Sequence, residues 1–317
     1  ALHACVRWSA SGAAETLLQF DRQSNGKKLV NARNLAGKTA LHEAARSGNT
    51  SFISMLLSSN ADINAIDETG KTALTDAIAA NQIPAVKILL GKGASPAMQD
   101  MYGRNAFHEA VEASTVEVIS LLRSAGGNPM ARDSWGKTPL SLSFHKNSAT
   151  VLSVIGSDAN LADSDGNTPL HIAVSEHASE EILTTLLKAN YPVNNRNRTG
   201  STALLLAVQK GNEMGARVLL ASGADPFATD NAGESAVSIT LTNMPRLLDV
   251  LGEYAADKTD TIGDGLLHYA ARMADGESVR KLLTMPRIDR GAVNVAGETP
   301  YAVAVRWQRP DIATLLK

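Results

Sequence analysis

Nine glycines recur along this chain at intervals of 30 to 34 residues. They are Gly37, Gly70, Gly103, Gly136, Gly166, Gly200, Gly233, Gly263 and Gly297. A period of about 33 residues means that one supersecondary unit is repeated. The sequence therefore predicts a solenoid in which each unit contacts only its neighbours. Such a chain offers a long surface for binding and no single deep core for a catalytic centre.

The residues around each glycine predict a tight turn followed by a short helix. Three positions before it stands an acid or amide: Asn34, Asp67, Asp100, Asp133, Asp163, Asn197, Asp230, Asp260 or Asn294. Asp and Asn bond their own backbone in turns, and glycine accepts a positive φ. Two positions after the glycine stands Thr, Ser or Asn in eight units, and Gly265 in the other. Thr, Ser and Asn are favoured helix N-caps.

Five of the seven histidines occupy one position of the repeat: His3, His42, His108, His171 and His268. Packed helices lie about 8–10 Å apart, whereas zinc–nitrogen bonds are about 2 Å, so this spacing does not predict a metal site. We expect each ring to hydrogen-bond the turn of its own or the next unit. The sequence has no nucleophile motif, phosphate-binding loop or paired-cysteine spacing, so it predicts no catalytic residues and no cofactor.

The most regular units resemble the ankyrin repeat. The resemblance is nearly complete in Asp163–Ala173, where Gly166, Thr168, Pro169 and His171 stand in register, and it recurs in Gly37–Ala45. A second helix with a Leu-Leu pair follows in most units. The resemblance extends over essentially the whole chain. It implies an all-α ankyrin-repeat solenoid of paired antiparallel helices with protruding β-turn or hairpin fingers.

We predict one ankyrin-repeat domain over residues 1–317. Its units are 1–33 (partial), 34–66, 67–99, 100–132, 133–162, 163–196, 197–229, 230–259, 260–293 and 294–317 (partial). Units 133–162 and 230–259 are about three residues short, for which we expect a trimmed second helix and a change of curvature. The chain starts and ends inside helices, so we expect a piece of a longer protein. Localisation stays open: the cytoplasm is favoured, and a secreted or periplasmic origin is compatible with a truncated N-terminus.

The composition limits the classes of partner that the chain can bind. The formal net charge is −2, which argues against nucleic acid because nucleic-acid binders usually carry a strong basic excess. No apolar run approaches the roughly 20 residues of a membrane span. The resemblance implies a protein partner bound at the fingers and the inner face of the first helices.

Two sets of residues are candidates for partner binding. On the fingers, the aromatic residues Tyr102 and Trp135 stand near Arg104 and Lys137, which is the composition of interface hot spots. The competing interpretation, compatible with the first, is that Trp135 packs along Tyr102.

The second set follows the histidine position, where three acids precede six apolar residues. The acids are Glu43, Asp76 and Glu109; the apolar residues are Leu142, Ile172, Leu206, Ile239, Tyr269 and Val303. Glu112 adds to this acidic stripe and Arg46 screens it. The stripe is either plain solvated surface or a site for a cationic segment. We expect a non-catalytic protein–protein interaction module; the alternative is a receptor for a small, possibly cationic, ligand in the groove.

Overall fold

The chain is all-α, as the sequence predicts. The computed structural model describes residues 1–23, 29–146, 150, 152, 154 and 161–317. This part of the chain contains 19 α-helices and no β-strand. Its residues fall into two compact units, Ala1–Gly156 and Ser157–Lys317. Whether the whole chain acts as one domain stays a prediction.

Each compact unit is a series of helix pairs. The helices of the first are α1 (Leu2–Arg7), α2 (Ser11–Gln23), α3 (Ala40–Arg46), α4 (Thr50–Ser58), α5 (Ala73–Ala79), α6 (Ile83–Gly91), α7 (Ala106–Glu112), α8 (Val116–Ser124) and α9 (Pro139–Ser143). Those of the second are α10 (Pro169–Ser175), α11 (Glu180–Lys188), α12 (Ala203–Gln209), α13 (Glu213–Ala221), α14 (Ala236–Thr242), a 3-10 turn Pro245–Leu247, α15 (Leu248–Ala255), α16 (Leu266–Met273), α17 (Gly276–Leu283), α18 (Pro300–Arg306) and α19 (Pro310–Leu316).

In the eight units with Thr, Ser or Asn two positions after the turn glycine, the first helix begins directly after the predicted N-cap residue. The Thr72 hydroxyl accepts a hydrogen bond from the Thr75 amide, and Asn105 accepts from the amides of Phe107 and His108. These bonds satisfy amides that the first helical turn leaves without a partner. The Thr, Ser or Asn at this position is buried in seven units, so the cap also forms part of the core.

Inside a compact unit, the first helices of neighbouring repeat units pack against each other, and so do the second helices. Within the first compact unit α3 contacts α5, α5 contacts α7, and α4 contacts α6. The small residues Ala44, Ala77 and Ala110 are fully buried in the first helices, because a short side chain lets two helices approach closely.

The prediction of a trimmed second helix in unit 230–259 is wrong. The 3-10 turn and α15 together run from Pro245 to Ala255, whereas the second helix of the preceding unit is Glu213–Ala221. The missing residues come from the segment after the helix, which has only residues 256–259 before Asp260. In unit 133–162 the second half lies largely outside the described residues.

Candidate functional site

All nine fingers share one hydrogen-bonded turn. In the finger of Asp67, one carboxylate oxygen accepts from the amides of Thr69 and Lys71 at 2.9 and 3.0 Å. Gly70 adopts φ +82° and donates from its amide to the Asp67 carbonyl. A side chain there would meet the backbone of Asp100 at 2.8 Å, so glycine is needed both for the turn and for the close approach of the next finger.

Within each compact unit, most neighbouring fingers are joined by a backbone hydrogen bond. The Met101 amide donates to the Thr69 carbonyl, and the Ser134 amide donates to the Tyr102 carbonyl, both at 2.9 Å. The bond joins consecutive fingers, so the finger tips are held at a fixed spacing. Side chains at the tips are therefore arranged before any partner arrives.

Tyr102 and Trp135 form an exposed aromatic platform on two consecutive fingers. Their ring centroids are 5.5 Å apart and the planes are inclined by 25°. The rings stack, yet Tyr102 is 47% and Trp135 65% exposed, and Met101 beside them is 62% exposed. The predicted packing of Trp135 along Tyr102 is confirmed, and the stacked pair presents a large apolar surface to solvent.

Arg104 is half-buried, unlike the exposed rings of the platform. Its guanidinium pairs with the Glu112 carboxylate at 2.9 Å. Burial works against the charge of Arg104, but Glu112, Glu109 and Asp100 raise the pKa of its guanidinium. Lys137 is half-buried at the base of the Trp135 finger, where its backbone amide donates to Asp133. Both cations are thus less exposed than the aromatic rings.

The five repeat histidines link successive units, which confirms the predicted role. The Nε2 atoms of His3, His42, His108, His171 and His268 lie 2.7 to 3.2 Å from the carbonyl oxygens of Lys38, Lys71, Lys137, Ser201 and Glu298. At His42, His108, His171 and His268 the Nδ1 atom accepts a hydrogen bond from the amide of the cap residue. Since Nδ1 accepts there, Nε2 is the nitrogen that donates to the carbonyl oxygen of the next unit. Burial lowers the pKa of His42, His108 and His171 against the opposing effect of the carbonyl.

The acidic stripe is largely neutralised by the preceding fingers. The Lys38 ammonium lies 2.6 Å from Asp76 and 3.6 Å from Asp67, and Lys71 lies 3.4 Å from Glu109. The Asp76 side chain is 9% exposed, so its charge is hardly available to a ligand. The sequence identified the acids but not these lysines, which stand 38 residues earlier, directly after the turn glycines. A comparison of the residue after each turn glycine with the acid that follows the histidine position in the next unit would have suggested the pairing.

Replacing Asp76 by Asn is expected to destabilise the protein by about 1.5–2 kcal/mol, because the exchange removes a charge-assisted hydrogen bond from Lys38. Lys38 keeps Asp67 as a partner, which limits the loss. The matched variant Glu109→Gln affects a more exposed pair and is expected to cost under about 1 kcal/mol. Urea unfolding at low and high salt measures both. Equal costs would contradict the difference in burial.

Glu43 and Arg46 differ from the paired acids. Glu43 is half-buried and contacts the Asn34 amide at 3.5 Å. Arg46 is exposed in the last turn of α3, and the structure gives it no ion pair among the described residues. Of the three acids of the stripe, Glu43 is thus the least compensated.

The apolar residues that follow the histidine position in the later units are less exposed to solvent than the sequence suggested. Ile239 is 6% exposed and Val303 is fully buried. Leu142, Ile172 and Leu206 are half-buried. These residues form a partly covered wall rather than an open apolar trough.

Tyr269 departs from this series by its polar contacts, which sequence reasoning missed. Its hydroxyl donates to Asp260 at 2.8 Å, and the Arg272 guanidinium lies 4.7 Å from its ring centroid. Burial and the Asp260 carboxylate raise the pKa of Tyr269. Arg272 also pairs with the buried Asp264. A tyrosine in an otherwise aliphatic position was the available signal.

Comparison with known proteins identifies the repeat. A family model described as "Ankyrin repeats (3 copies)" matches residues 2–100 and 143–230, more than half of the chain. The B-cell lymphoma 3 protein homolog of Mus musculus is 31% identical over 169 residues, which are 50% of this chain and 38% of that protein. The intracellular phospholipase A2 of Caenorhabditis elegans is 24% identical over 185 residues, 54% of this chain and 14% of that protein.

Among solved structures, the ankyrin repeat domain of Bcl-3 matches 78% of this chain and 99% of its own, with 24% identity and a TM-score of 0.46. The chain spans well under half the length of either curated relative. In the described ranges, no helix combines the length and apolarity needed to cross a membrane. Together with the shared turns, caps and histidine bonds, the family match shows that the chain belongs to the ankyrin repeat family of protein–protein interaction modules.

Proposed function

We propose that this chain is a non-catalytic recognition module that docks a protein partner on its finger tips and the adjoining groove, with Tyr102 and Trp135 as the anchor. The observation behind this proposal is the stacked, exposed ring pair on fingers joined by a backbone hydrogen bond. Large aromatic residues dominate the binding energy of protein interfaces. Rings that are already arranged lose little conformational freedom on binding.

Charge in the adjoining groove is arranged in local pairs, including Lys71 with Glu109 and Arg104 with Glu112. Charged groups that face each other across an interface give specificity and steer encounter more than they add affinity. A partner segment of alternating charge could exchange with these pairs, whereas a simple cationic ligand would compete with Lys38 and Lys71 for the same carboxylates. This competition favours the protein partner over the small cationic ligand, for which Glu43 would be the remaining open acid.

The double variant Tyr102→Ala/Trp135→Ala is expected to weaken partner binding at least about thirtyfold, the effect of losing a hot spot of about 2 kcal/mol. Its stability should stay within about 1 kcal/mol of wild type, because both rings are largely exposed. Quantitative capture from native lysate, followed by calorimetry on the captured protein, measures the affinity. Trp8→Ala, which removes an 80% exposed tryptophan elsewhere in the same compact unit, is the control.

Partner affinity that is unchanged in the double variant, or lost equally in Trp8→Ala, would reject the platform as the anchor. The groove is tested separately with Glu43→Gln/Asp76→Asn/Glu109→Gln and with spermidine as a small cation. Saturable spermidine binding that disappears in this triple variant, with no captured protein, would support the small-ligand alternative.

A further inference from the structure

Two consecutive units of the second compact unit differ in the length of one connection from the five units whose connections the structure describes completely. The segment between the second helix and the next turn has eight residues in five units: 59–66, 92–99, 125–132, 189–196 and 222–229. It has four residues in 256–259 and ten in 284–293. A short connection and a long one therefore lie side by side in the second compact unit.

The cap residue between them is also exceptional. Gly265 stands where the other units have Thr, Ser or Asn, and its φ of −91° is open to any residue. A Cβ atom at Gly265 would lie 3.4 Å from the Lys258 carbonyl oxygen and 3.8 Å from a Thr259 methyl carbon, which is ordinary contact. No steric reason thus requires a glycine at this cap.

A cavity of about 250 Å³ opens where these departures meet. The short connection Ala256–Thr259 forms one side, and the long one contributes Ile288 and Ala292 to the other. Gly265, Leu266 and Leu267 also line it, and both leucines are buried. An apolar cavity of about 150 Å³ accommodates benzene, so this one is large enough for a two-ring aromatic group.

The polar residues that line the cavity include His268 and several charged side chains. His268 lines the cavity, but both of its nitrogens are engaged, with the Gly265 amide and the Glu298 carbonyl. Among the charged residues that line it, Asp257 and Arg287 are exposed and lie 3.8 Å apart, and Lys258 is half-buried. Asp289 is exposed and accepts from the Gly291 amide at 2.8 Å. The cavity therefore combines apolar residues with two exposed carboxylates, each of which has one partner and further lone pairs that can accept from a ligand.

We infer that this cavity receives the indole ring of a tryptophan presented by a protein partner, with the exposed carboxylate of Asp257 or Asp289 accepting from the indole N–H. An aromatic ring with one polar atom matches apolar walls and a polar edge. The inference adds a second anchor to the proposed function, and it rests on that function for the source of the ring. The first anchor lies in the other compact unit, so the two can be tested apart.

The test uses 5-fluoroindole and N-acetyl-tryptophanamide as probes, followed by fluorine and proton NMR, with the whole chain. Both are expected to bind saturably, one per chain, with a dissociation constant of about 1 mM or below. Gly265→Thr introduces the residue type found at this cap elsewhere and places side-chain atoms in the cavity. It is expected to weaken both probes at least tenfold while circular dichroism stays unchanged.

A second variant keeps the test independent of Gly265: residues 256–259 are replaced by the sequence of 222–229, which restores an eight-residue connection. Val295→Ser, which changes an 80% exposed residue outside the cavity lining, is the control and should bind as wild type. Tyr102→Ala/Trp135→Ala should also bind both probes normally, so failure of the platform and failure of the cavity are distinguished.

Three results would overturn the inference. Absence of binding by either probe would reject an aromatic site. Binding that both filling variants leave unchanged would place the probes elsewhere. Binding of fluoroindole but not of N-acetyl-tryptophanamide would show a site for a free aromatic molecule, because the capped amino acid carries the peptide groups that a partner would bring.

Discussion

Substitution of Phe107 by Ala is expected to lower the free energy of unfolding by about 3–5 kcal/mol. Phe107 is fully buried in the first helix of unit 100–132. Its ring lies so close to Gly127 that a Cβ atom there would come within 2.9 Å of a ring carbon. The backbone around Gly127 has little freedom to collapse into the space that the missing ring would leave, so a cavity should remain.

Guanidinium unfolding measures the total loss, and hydrogen exchange by mass spectrometry locates it. Because each repeat is stabilised by its neighbours, we expect the largest loss of protection in residues 67–132. Leu35→Ala, which truncates a fully exposed side chain, is the control and should stay within about 0.5 kcal/mol of wild type. A loss under about 1 kcal/mol for Phe107→Ala would show that the site relaxes and that the ring is not a packing centre.

Acidification from pH 7.5 to 5 is expected to destabilise the fold through three buried histidines. Burial lowers the pKa of His42, His108 and His171 below the unfolded value of about 6.5. Below that pH the unfolded chain binds protons that the folded rings refuse, so stability is present above about pH 6.5 and is lost as the pH falls towards the folded values. Each tenfold difference in proton affinity corresponds to about 1.4 kcal/mol.

The hydrogen bonds of the rings also predict that stability falls as the pH is lowered. A protonated ring would direct an Nδ1 proton at the cap amide that now donates to it, as at His171 and Thr168. At His42 the neighbouring Asp76 and Asp67 favour the proton and Lys38 opposes it, but burial dominates. Asp67, whose pKa the Thr69 and Lys71 hydrogen bonds lower despite its burial, adds acid sensitivity only below about pH 4.

Urea unfolding at half-unit pH steps tests this expectation. The triple variant His42→Gln/His108→Gln/His171→Gln should be less stable at pH 7.5 and nearly flat down to pH 5. His145→Gln, which changes an exposed histidine, should reproduce the wild-type slope. A wild-type profile that is flat between pH 7.5 and 5 would contradict the neutral, buried state of the three rings.

The sequence was sufficient for the features that each unit repeats. Turn, cap and first helix depend on residues within one period, so nine copies of the pattern identify them. The histidine bond reaches the next unit, but it could be predicted because its acceptor is a main-chain carbonyl and does not depend on the side chain there. The sequence was insufficient where a side-chain contact joins two periods, as between Lys38 and Asp76, because spacing alone does not say which side chains meet. It also misplaced the gap in unit 230–259, since the pattern from Leu247 to Leu251 is equally apolar whether the helix or the connection is shortened.

The candidate surface was predictable in part. Tyr102 and Trp135 were identified as anomalous residues at turn positions, and the structure adds that their rings stack. The cavity beside Gly265 was not predictable, since it arises from a short and a long connection that are adjacent only after folding. The partner-binding role of all these residues stays a prediction.

The bond between successive units has a further consequence for how such a protein can diversify. Each histidine contacts a backbone oxygen, and the residue that supplies it is Lys38, Lys71 or Lys137 in one compact unit and Ser201 or Glu298 in the other. A main-chain acceptor survives any substitution at its own position. Selection can therefore alter the charge along this edge of the groove, and with it the choice of partner, without breaking the joint that holds the array together.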